Sequence, residues 1–107
     1  MLNQHLSNLE QEIMDVIWRL EECTVRDVIK AREGQKNLAY TTIATIVDRL
    51  YSKSIVKRVQ KGKQYVYIPL ISKEEFGKNV AATFIQRFMK NFGDVAIASF
   101  AESIDEL

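Results

Sequence analysis

The spacing of apolar residues changes at two points along the chain, near Ser54 and after Pro69. Before Ser54, apolar residues recur at three- and four-residue steps, the spacing that gathers them on one face of an α-helix. Between Val56 and Pro69, β-branched and aromatic residues prevail, which is typical of strands. After Pro69 the helical spacing returns. The sequence therefore predicts a mainly α fold with one small β-hairpin.

The first two helices are predicted from their capping residues. Ser7 and Glu10 have the spacing of a capping box, in which each side chain satisfies a free backbone N–H group at a helix start. Thr24 offers a weaker N-cap for a second helix of about ten residues, which Gly34 ends. The expected buried faces are Leu9, Ile13, Val16, Ile17 and Leu20 in the first helix and Val25, Val28 and Ile29 in the second.

A third helix is predicted from about Ala39 to Ser52. Its apolar positions follow the i, i+3, i+4, i+7 pattern of a buried face and are Ile43, Ile46, Val47 and Leu50. The opposite face carries small and hydroxylated side chains, which let a helix approach the major groove of DNA closely. These residues are Thr41, Ala44, Thr45, Asp48 and Ser52, with Thr42 and Arg49 at the flanks.

The β element is predicted to be a hairpin, because Lys61-Gly62 interrupts the strand-like run near its centre. Gly62 supplies the positive φ angle that a tight turn requires. The basic residues on or near the hairpin tip are Lys57, Arg58, Lys61 and Lys63. Three helices followed by a hairpin is the order of a winged helix-turn-helix, with the third helix as the recognition helix and the hairpin as the wing.

The positive charge of the chain is concentrated in the third helix, the wing and the segment before them. The 107 residues, the size of one compact domain, have a net charge of only +1. Residues 24–69 contain ten Lys or Arg and three Asp or Glu, for a net charge of +7, whereas residues 1–23 have −4 and residues 70–107 have −2. A basic block between acidic flanks indicates a surface that faces a polyanion. If the charge distribution is considered alone, the alternative to a polyanion-binding surface is a basic helix face that contacts only solvent.

All five phenylalanines lie after Pro69, on two predicted amphipathic helices that Gly93-Asp94 separates. Exposed apolar faces of this kind mark association. We therefore expect residues 1–70 to form a winged-helix DNA-binding domain and residues 71–107 to form the helical dimerisation region of a homodimer. The alternative is that these helices fold back onto the first domain. The expected dimerisation residues are Phe76, Val80, Phe84, Phe88, Phe92, Ile97, Phe100 and Ile104.

The expected DNA-binding residues combine the hydroxyl-rich end of the third helix with the bases around it. Threonine contacts base edges, phosphates or thymine methyls, whereas lysine and arginine contact phosphates and make binding salt-dependent. The predicted set is Tyr40, Thr41, Thr42, Ala44, Thr45, Arg49, Lys53, Arg58, Lys61, Gly62, Lys63 and Tyr65. If the three threonines are considered alone, the simpler explanation is that they cap the helix and occupy its solvent-exposed surface.

Other classes of function have little support in the sequence. His5 is the only histidine, and neither a carboxylate pair nor a glycine-rich phosphate loop occurs, so we expect no enzyme and no cofactor. Cys23 is the only cysteine, which is too few ligands for a metal or redox sensor, and we expect it to be buried in a protein of a reducing compartment. Without a bilayer-spanning apolar run or a signal peptide, the expected location is the cytoplasm, with no membrane partner.

The chain resembles the penicillinase-repressor family, the BlaI/MecI/CopY type of winged-helix repressor. Three segments carry the resemblance, Ala39-Tyr-Thr-Thr-Ile-Ala-Thr-Ile-Val-Asp-Arg-Leu50, Lys53-Ser-Ile-Val-Lys-Arg58 and Gly62-Lys-Gln-Tyr-Val-Tyr-Ile-Pro69, and residues 10–18 are similar to the family's first helix. The resemblance implies operator recognition by the third helix, contacts of the wing tip with the DNA backbone, and a dimer of intertwined C-terminal helices. The residues that match these roles are Thr41, Thr42, Thr45, Arg49, Lys61 and Lys63.

The chain also departs from that family. Ser54 stands where the family usually has glycine, which implies a differently formed turn into the wing. The cysteine cluster of the copper-responsive branch is missing, and Ser99-Phe100 replaces the Asn-Phe bond that is cleaved in the β-lactam-responsive branch. Copper sensing is therefore not expected, and control by an unidentified signalling protein or protease stays open. The sequence ends at Leu107, where relatives often continue with another helix, which predicts a smaller or weaker dimer.

Together these features predict a sequence-specific DNA-binding transcriptional regulator, a homodimeric repressor that occupies a palindromic operator in double-stranded DNA. The alternative is a winged-helix module that binds only protein. The two functions differ in how far they depend on the threonines of the third helix and on the wing lysines.

Overall fold

The computed structural model describes residues 5–107, which contain five α-helices and one two-stranded antiparallel sheet. The elements are α1 (Asn8–Leu20), α2 (Val25–Ala31), α3 (Tyr40–Ser52), β1 (Val56–Lys61), β2 (Gln64–Pro69), α4 (Lys73–Phe92) and α5 (Asp94–Asp105). The predicted mainly α fold with a small hairpin is confirmed. The chain forms two compact units, a first unit that extends to Lys73 and a second unit of Glu74–Leu107.

Capping boxes begin α1 and α2. The Ser7 hydroxyl accepts a hydrogen bond from the Glu10 N–H at 3.2 Å, and the Glu10 carboxylate accepts one from the Ser7 N–H at 2.9 Å. Thr24 and Asp27 make the same exchange at 3.1 and 2.9 Å. Each box satisfies two N–H groups that a helix start otherwise leaves unbonded. Both predicted helix starts are confirmed.

The second helix is shorter than its sequence suggested. It ends at Ala31 after seven residues, and the prediction that it continues to Gly34 was wrong. The N–H of Arg32 is shared between the carbonyls of Val28 and Ile29, at 3.2 and 3.1 Å. Such bonds to carbonyls three residues back tighten the chain into turns after the helix. Gly34, with a φ of 88°, lies within these turns and does not itself end the helix.

The turn from α3 into β1 is made by Ser54, whose φ is 62°. The N–H of Ser54 bonds to the carbonyl of Tyr51 at 3.0 Å, and the N–H of Ile55 bonds to that of Leu50 at 3.1 Å. A residue with a Cβ is strained in this left-handed region, because the Cβ approaches a backbone carbonyl oxygen. Ser54 therefore holds a conformation that favours glycine.

The hairpin runs in register from the Val56–Pro69 pair at its base to the Lys61–Gln64 pair at its tip. The loop between them consists of Gly62, with a φ of 65°, and one further residue. Glycine at the first loop position is typical of a type II′ turn, whose twist suits a hairpin. The predicted hairpin and its glycine turn are confirmed.

Two contacts attach the base of the wing to the helices before it. Cys23 and Tyr67 form a backbone bridge, with N–H to carbonyl distances of 2.7 and 3.0 Å. The indole N–H of Trp18 donates to the carbonyl of Ile71 at 2.9 Å. Cys23 is 2% exposed, which confirms that its side chain is buried.

The core of the first unit combines side chains from α1, α2, α3 and the start of β1. Its largest fully buried side chains are Ile13, Met14, Ile17, Val28, Ile43, Val47, Leu50, Ile55 and Val56. The predicted buried face of α3 is confirmed, since Ile46 is also buried. Leu20, expected in the buried face of α1, is 36% exposed because it is the last residue of that helix and the chain turns away at Glu21.

The second unit consists of α4 and α5, separated by Gly93 with a φ of 57°. On α4, the rings of Phe84 and Phe88 stack with centroids 5.7 Å apart, and those of Phe88 and Phe92 are 5.1 Å apart. The four-residue spacing of these phenylalanines thus forms one row. Within residues 5–107, no helix has both the length and the apolar character needed to cross a membrane.

Candidate nucleic-acid interface

The outer face of α3 is exposed along its first two turns. Tyr40 is half exposed, Thr41, Thr42 and Thr45 are exposed, and Ala44 is partly buried. The side chains around the open groove on this face are Leu9, Thr41, Thr42, Thr45, Ile46 and Arg49. The structure thus brings four of the predicted DNA-binding residues to one groove.

The start of α3 differs from the starts of α1 and α2. Ala39 stands at the N-cap and makes no side-chain hydrogen bond, whereas the other two helices begin with capping boxes. Free N–H groups at a helix start attract phosphate, and the helix dipole adds to the attraction. The threonine end of α3 is therefore the end with affinity for an anion.

Thr45 uses its hydroxyl proton inside the helix. Its Oγ1 donates to the carbonyl of Thr41 at 2.8 Å. A hydroxyl has one proton and two lone pairs, so the Thr45 oxygen remains available only as an acceptor. Thr45 therefore presents an acceptor and a methyl group on the outer face of α3, the two features that can contact an amino group and a thymine methyl in the major groove.

The wing tip is exposed and basic. Lys61, Gly62 and Lys63 are all exposed, and Tyr65 is 41% exposed. Neither lysine forms an ion pair with another residue in the part of the chain that the structure describes. Both side chains are therefore exposed at the wing tip without an ion-pair partner in residues 5–107.

Arg58 lies between two tyrosine rings. Its guanidinium carbon is 4.0 Å from the ring centroid of Tyr51 and 4.3 Å from that of Tyr65. Its Nη1 is 3.4 Å from Oδ1 of Asp48, and Tyr67 is its cross-strand partner in the hairpin. This predicted DNA contact is thus engaged within the protein.

Lys53, another predicted DNA contact, is held by α1. Its Nζ lies 2.9 and 3.1 Å from the two carboxylate oxygens of Glu10 and 3.0 Å from the carbonyl oxygen of His5. Burial raises the pKa of Glu10, but the hydrogen bonds from Ser7 and the ion pair with Lys53 outweigh burial and hold this pKa below its usual value. The Lys53 charge is therefore largely neutralised.

Arg26 is an exposed base near α3 that is absent from the predicted DNA-binding set. It lies in the first turn of α2, and its guanidinium carbon is 5.7 Å from the ring centroid of Tyr40. In a helix-turn-helix, the helix before the recognition helix crosses the DNA backbone. The position of a basic residue in the first turn of that helix is therefore the sequence signal that would have pointed to Arg26.

Six of the eight expected dimerisation residues are exposed in the single chain. Val80, Phe84, Phe92, Ile97, Phe100 and Ile104 are between 36% and 59% exposed, Phe88 is partly buried, and Phe76 is only 5% exposed. The apolar groove between α4 and α5 has a volume of about 280 Å³ and is lined by Phe84, Ile85, Phe88, Met89, Ala96, Ile97, Phe100, Ala101 and Ile104. The Ser99-Phe100 bond lies inside α5.

Three helices, an exposed third helix and a basic hairpin beside it define a winged helix-turn-helix protein of the DNA-binding type. The comparisons specify the class further. The family described as "Penicillinase repressor" matches residues 6–107. The chain belongs to the penicillinase repressor family and is a transcriptional regulator, so the resemblance found in the sequence is confirmed.

Two relatives illustrate the similarity. The methicillin resistance regulatory protein MecI of Staphylococcus aureus is 26% identical over 100 residues, which are 94% of this chain and 81% of MecI. The transcriptional regulator BlaI of Mycobacterium tuberculosis is 37% identical over 71 residues, which are 65% of this chain and 51% of BlaI.

Two solved structures are similar to this fold. One is the DNA-binding domain of the repressor BlaI, with a TM-score of 0.61 and 29% identity, covering 70% of this chain and 93% of that one. The other is the monomeric form of Bacillus licheniformis BlaI in complex with the blaP half-operator, with a TM-score of 0.55 and 30% identity, covering 66% of this chain and 87% of that one.

Proposed function

We propose that the chain represses transcription by binding a palindromic operator in double-stranded DNA as a homodimer. The observation that carries the proposal is the exposed threonine face of α3 beside a wing whose Lys61 and Lys63 have no ion-pair partner in residues 5–107. Thr41, Thr42 and Thr45 would contact base edges, and the two lysines would contact phosphates. Such a repressor acts in the cytoplasm.

The complex of the similar Bacillus licheniformis BlaI with a half-operator supports operator binding by this chain. One subunit bound to half of an operator implies that two subunits bind the whole. Because a homodimer has twofold symmetry, its operator is expected to be a palindrome with half-sites about one helical turn apart or a multiple of that distance.

The apolar groove between α4 and α5 supports the homodimer. Its lining includes three phenylalanines and three isoleucines, and most of these side chains are at least two-fifths exposed in the single chain. An apolar surface of this kind is covered in a stable soluble assembly. A second copy of the same helices would cover it with side chains of the same kind.

Binding of the full chain to a labelled random-sequence duplex at low salt tests the proposal. We expect binding that weakens steeply with salt, because phosphate contacts release counterions. Selection of bound genomic fragments should then yield a palindrome, and footprinting should protect both half-sites equally. Undetectable binding to the random duplex at low salt would contradict the proposal and favour a module that binds only protein.

A further inference from the structure

The Arg58 guanidinium joins the recognition helix to both strands of the wing. Tyr51 and Asp48 belong to α3, Arg58 belongs to β1, and Tyr65 belongs to β2. The guanidinium lies 4.0 Å from the Tyr51 ring, 4.3 Å from the Tyr65 ring and 3.4 Å from the Asp48 carboxylate. One side chain therefore contacts every element that the proposed function brings to the DNA.

This environment occupies the guanidinium. Arginine stacks its flat faces on aromatic rings and directs its N–H groups outward in the plane. Tyr51 and Tyr65 take the stacking contacts, while the Asp48 carboxylate accepts a hydrogen bond from Nη1 at 3.4 Å. The Arg58 side chain is 27% exposed and has two aromatic neighbours and a carboxylate partner, whereas the wing-tip residues Lys61 and Lys63 are exposed and have no ion-pair partner in residues 5–107.

The ion pair also affects α3. Asp48 is the acidic residue on the outer face of this helix, and its side chain is 64% exposed. An unneutralised carboxylate there would repel phosphates near the interface. Arg58 offsets that charge while it holds the wing.

We propose that Arg58 is a positioning residue, which sets the angle between the wing and α3 and so directs Lys61 and Lys63 toward the DNA backbone. It does not contact phosphate itself. The proposal rests on the proposed function, since it concerns the same DNA interface.

Three variants separate positioning from phosphate contact. Arg58→Lys keeps the positive charge but loses the flat stack, and Tyr51→Leu removes one ring without changing any charge. Lys57→Ala is the matched control, because it removes a charge from β1 on the opposite face of the strand. For each variant, binding to a random-sequence duplex as long as an operator with two half-sites is measured over a range of salt concentrations.

We expect Arg58→Lys and Tyr51→Leu each to weaken binding about fivefold to tenfold. We also expect each variant to lower the slope of log affinity against log salt concentration by the equivalent of up to about two phosphate contacts, which are those of the two wing lysines. Lys57→Ala should lower it by at most about one contact. Binding of Arg58→Lys at wild-type strength would overturn the proposal, as would wild-type binding of Tyr51→Leu.

A double-mutant cycle gives the sharper result. In a chain that already carries Lys61→Ala and Lys63→Ala, Arg58→Lys should have no further effect on binding, because the contacts that it directs are gone. An equal loss in both backgrounds would show that Arg58 acts independently of the wing lysines and would overturn the proposal.

Amide hydrogen exchange of the DNA-free protein distinguishes failure of this proposal from failure of the proposed function. Wing amides of residues 58–67 should exchange faster in Arg58→Lys and Tyr51→Leu than in the wild type, whereas α1 and the core of α3 should be unchanged. Unchanged wing exchange would overturn the positioning role whether or not the chain binds DNA. Faster exchange in a chain that binds no DNA would refute only the proposed function.

Discussion

The Glu10 carboxylate and the Lys53 ammonium, 43 positions apart in the sequence, lie 2.9 Å apart and join the first turn of α1 to the residue after α3. Glu10 also accepts the capping hydrogen bond from the Ser7 N–H at 2.9 Å. One carboxylate therefore starts α1 and fixes the far end of the recognition helix against it. Its side chain is 7% exposed, so the pair is only partly screened by water.

Glu10 should make the stability of the protein depend on pH in the acid range. Its folded-state pKa lies below the ordinary 4.5, so the unfolded chain binds the proton more readily. The stability contributed by this group is fully present above the unfolded pKa and is lost as the pH falls through the folded pKa. Denaturant midpoints measured from about pH 7 to about pH 3 should therefore fall less steeply in Glu10→Gln than in the wild type.

Glu12→Gln is the matched control for this acid effect, because Glu12 is an exposed carboxylate on the same helix. Its midpoints should follow those of the wild type. Identical pH profiles for Glu10→Gln and the wild type would contradict the assigned role of the ion pair.

Ser54→Gly should stabilise the protein. Ser54 has a φ of 62°, and a serine at such an angle is strained by about 1 kcal/mol relative to glycine. Part of this gain is offset, because glycine also increases the conformational entropy of the unfolded chain. We expect the free energy of unfolding to rise by about 0.5 kcal/mol, measured by denaturant titration. The same exchange two residues earlier, Ser52→Gly at the last residue of α3, should not raise it, and a loss of stability in Ser54→Gly would contradict the strain at Ser54.

Cys23 should resist thiol reagents while the protein is folded. Burial, together with the negative charge of Asp27, raises the pKa of the Cys23 thiol to about 11. Since the thiolate is the reactive form, alkylation by iodoacetamide near neutral pH should be slow in the native protein and should reach the rate of a free thiol only in denaturant. Labelling of the native protein at the free-thiol rate would contradict the buried position of Cys23.

Much of the fold was predictable because local sequence signals determined it. The capping boxes of Ser7 and Thr24, the apolar face of α3 and the Gly62 turn each depend on residues close together in the chain. Met14 is fully buried in α1 but was not among the residues predicted to be buried, because the predicted apolar face of this helix included its neighbour Ile13 and not Met14 itself. The end of α2 was misjudged because a turn of shared hydrogen bonds precedes Gly34.

The charged residues of the site were harder to assign. The exposed Lys61 and Lys63 lie where the hairpin pattern placed them, since a tip residue has few neighbours to bind it. Lys53 and Arg58 are held by Glu10 and by Tyr51, and these contacts arise only when separate elements pack together. Sequence spacing shows that a base is near the interface, but it does not show whether another residue neutralises its charge.

Thr45 and Lys61 should have different effects on DNA binding. Thr45→Ala removes an acceptor and a methyl group from the outer face of α3, so it should relax base preference at one position by about 1–3 kcal/mol. Lys61→Ala removes one of the proposed phosphate contacts, so it should weaken all sequences alike and reduce the salt slope by about one. Affinities for a selected operator and its single-base variants, measured at several salt concentrations, separate the two effects.

Thr45→Val is the control for the chemical origin of the preference. It keeps a methyl group but loses the acceptor, so it should retain discrimination for thymine and lose discrimination that depends on an amino group. If Thr45→Ala weakened every sequence equally, Thr45 would be only a structural residue of α3.

Phe100→Asp should dissociate the proposed homodimer. Phe100 lines the apolar groove between α4 and α5 and is 41% exposed in the single chain, so a carboxylate there would be hydrated in the monomer but buried without a partner in a dimer. Ala98→Asp, at an exposed position of α5 outside the groove, is the matched control and should remain dimeric. Sedimentation equilibrium measures the oligomeric state of both variants, and circular dichroism compares their helix content.

Because each subunit would then bind its half-site alone, Phe100→Asp should also lose the cooperative protection of the full operator while keeping its salt-dependent binding to random DNA. A Phe100→Asp chain that sediments as the wild type does would place the subunit interface elsewhere on the molecule.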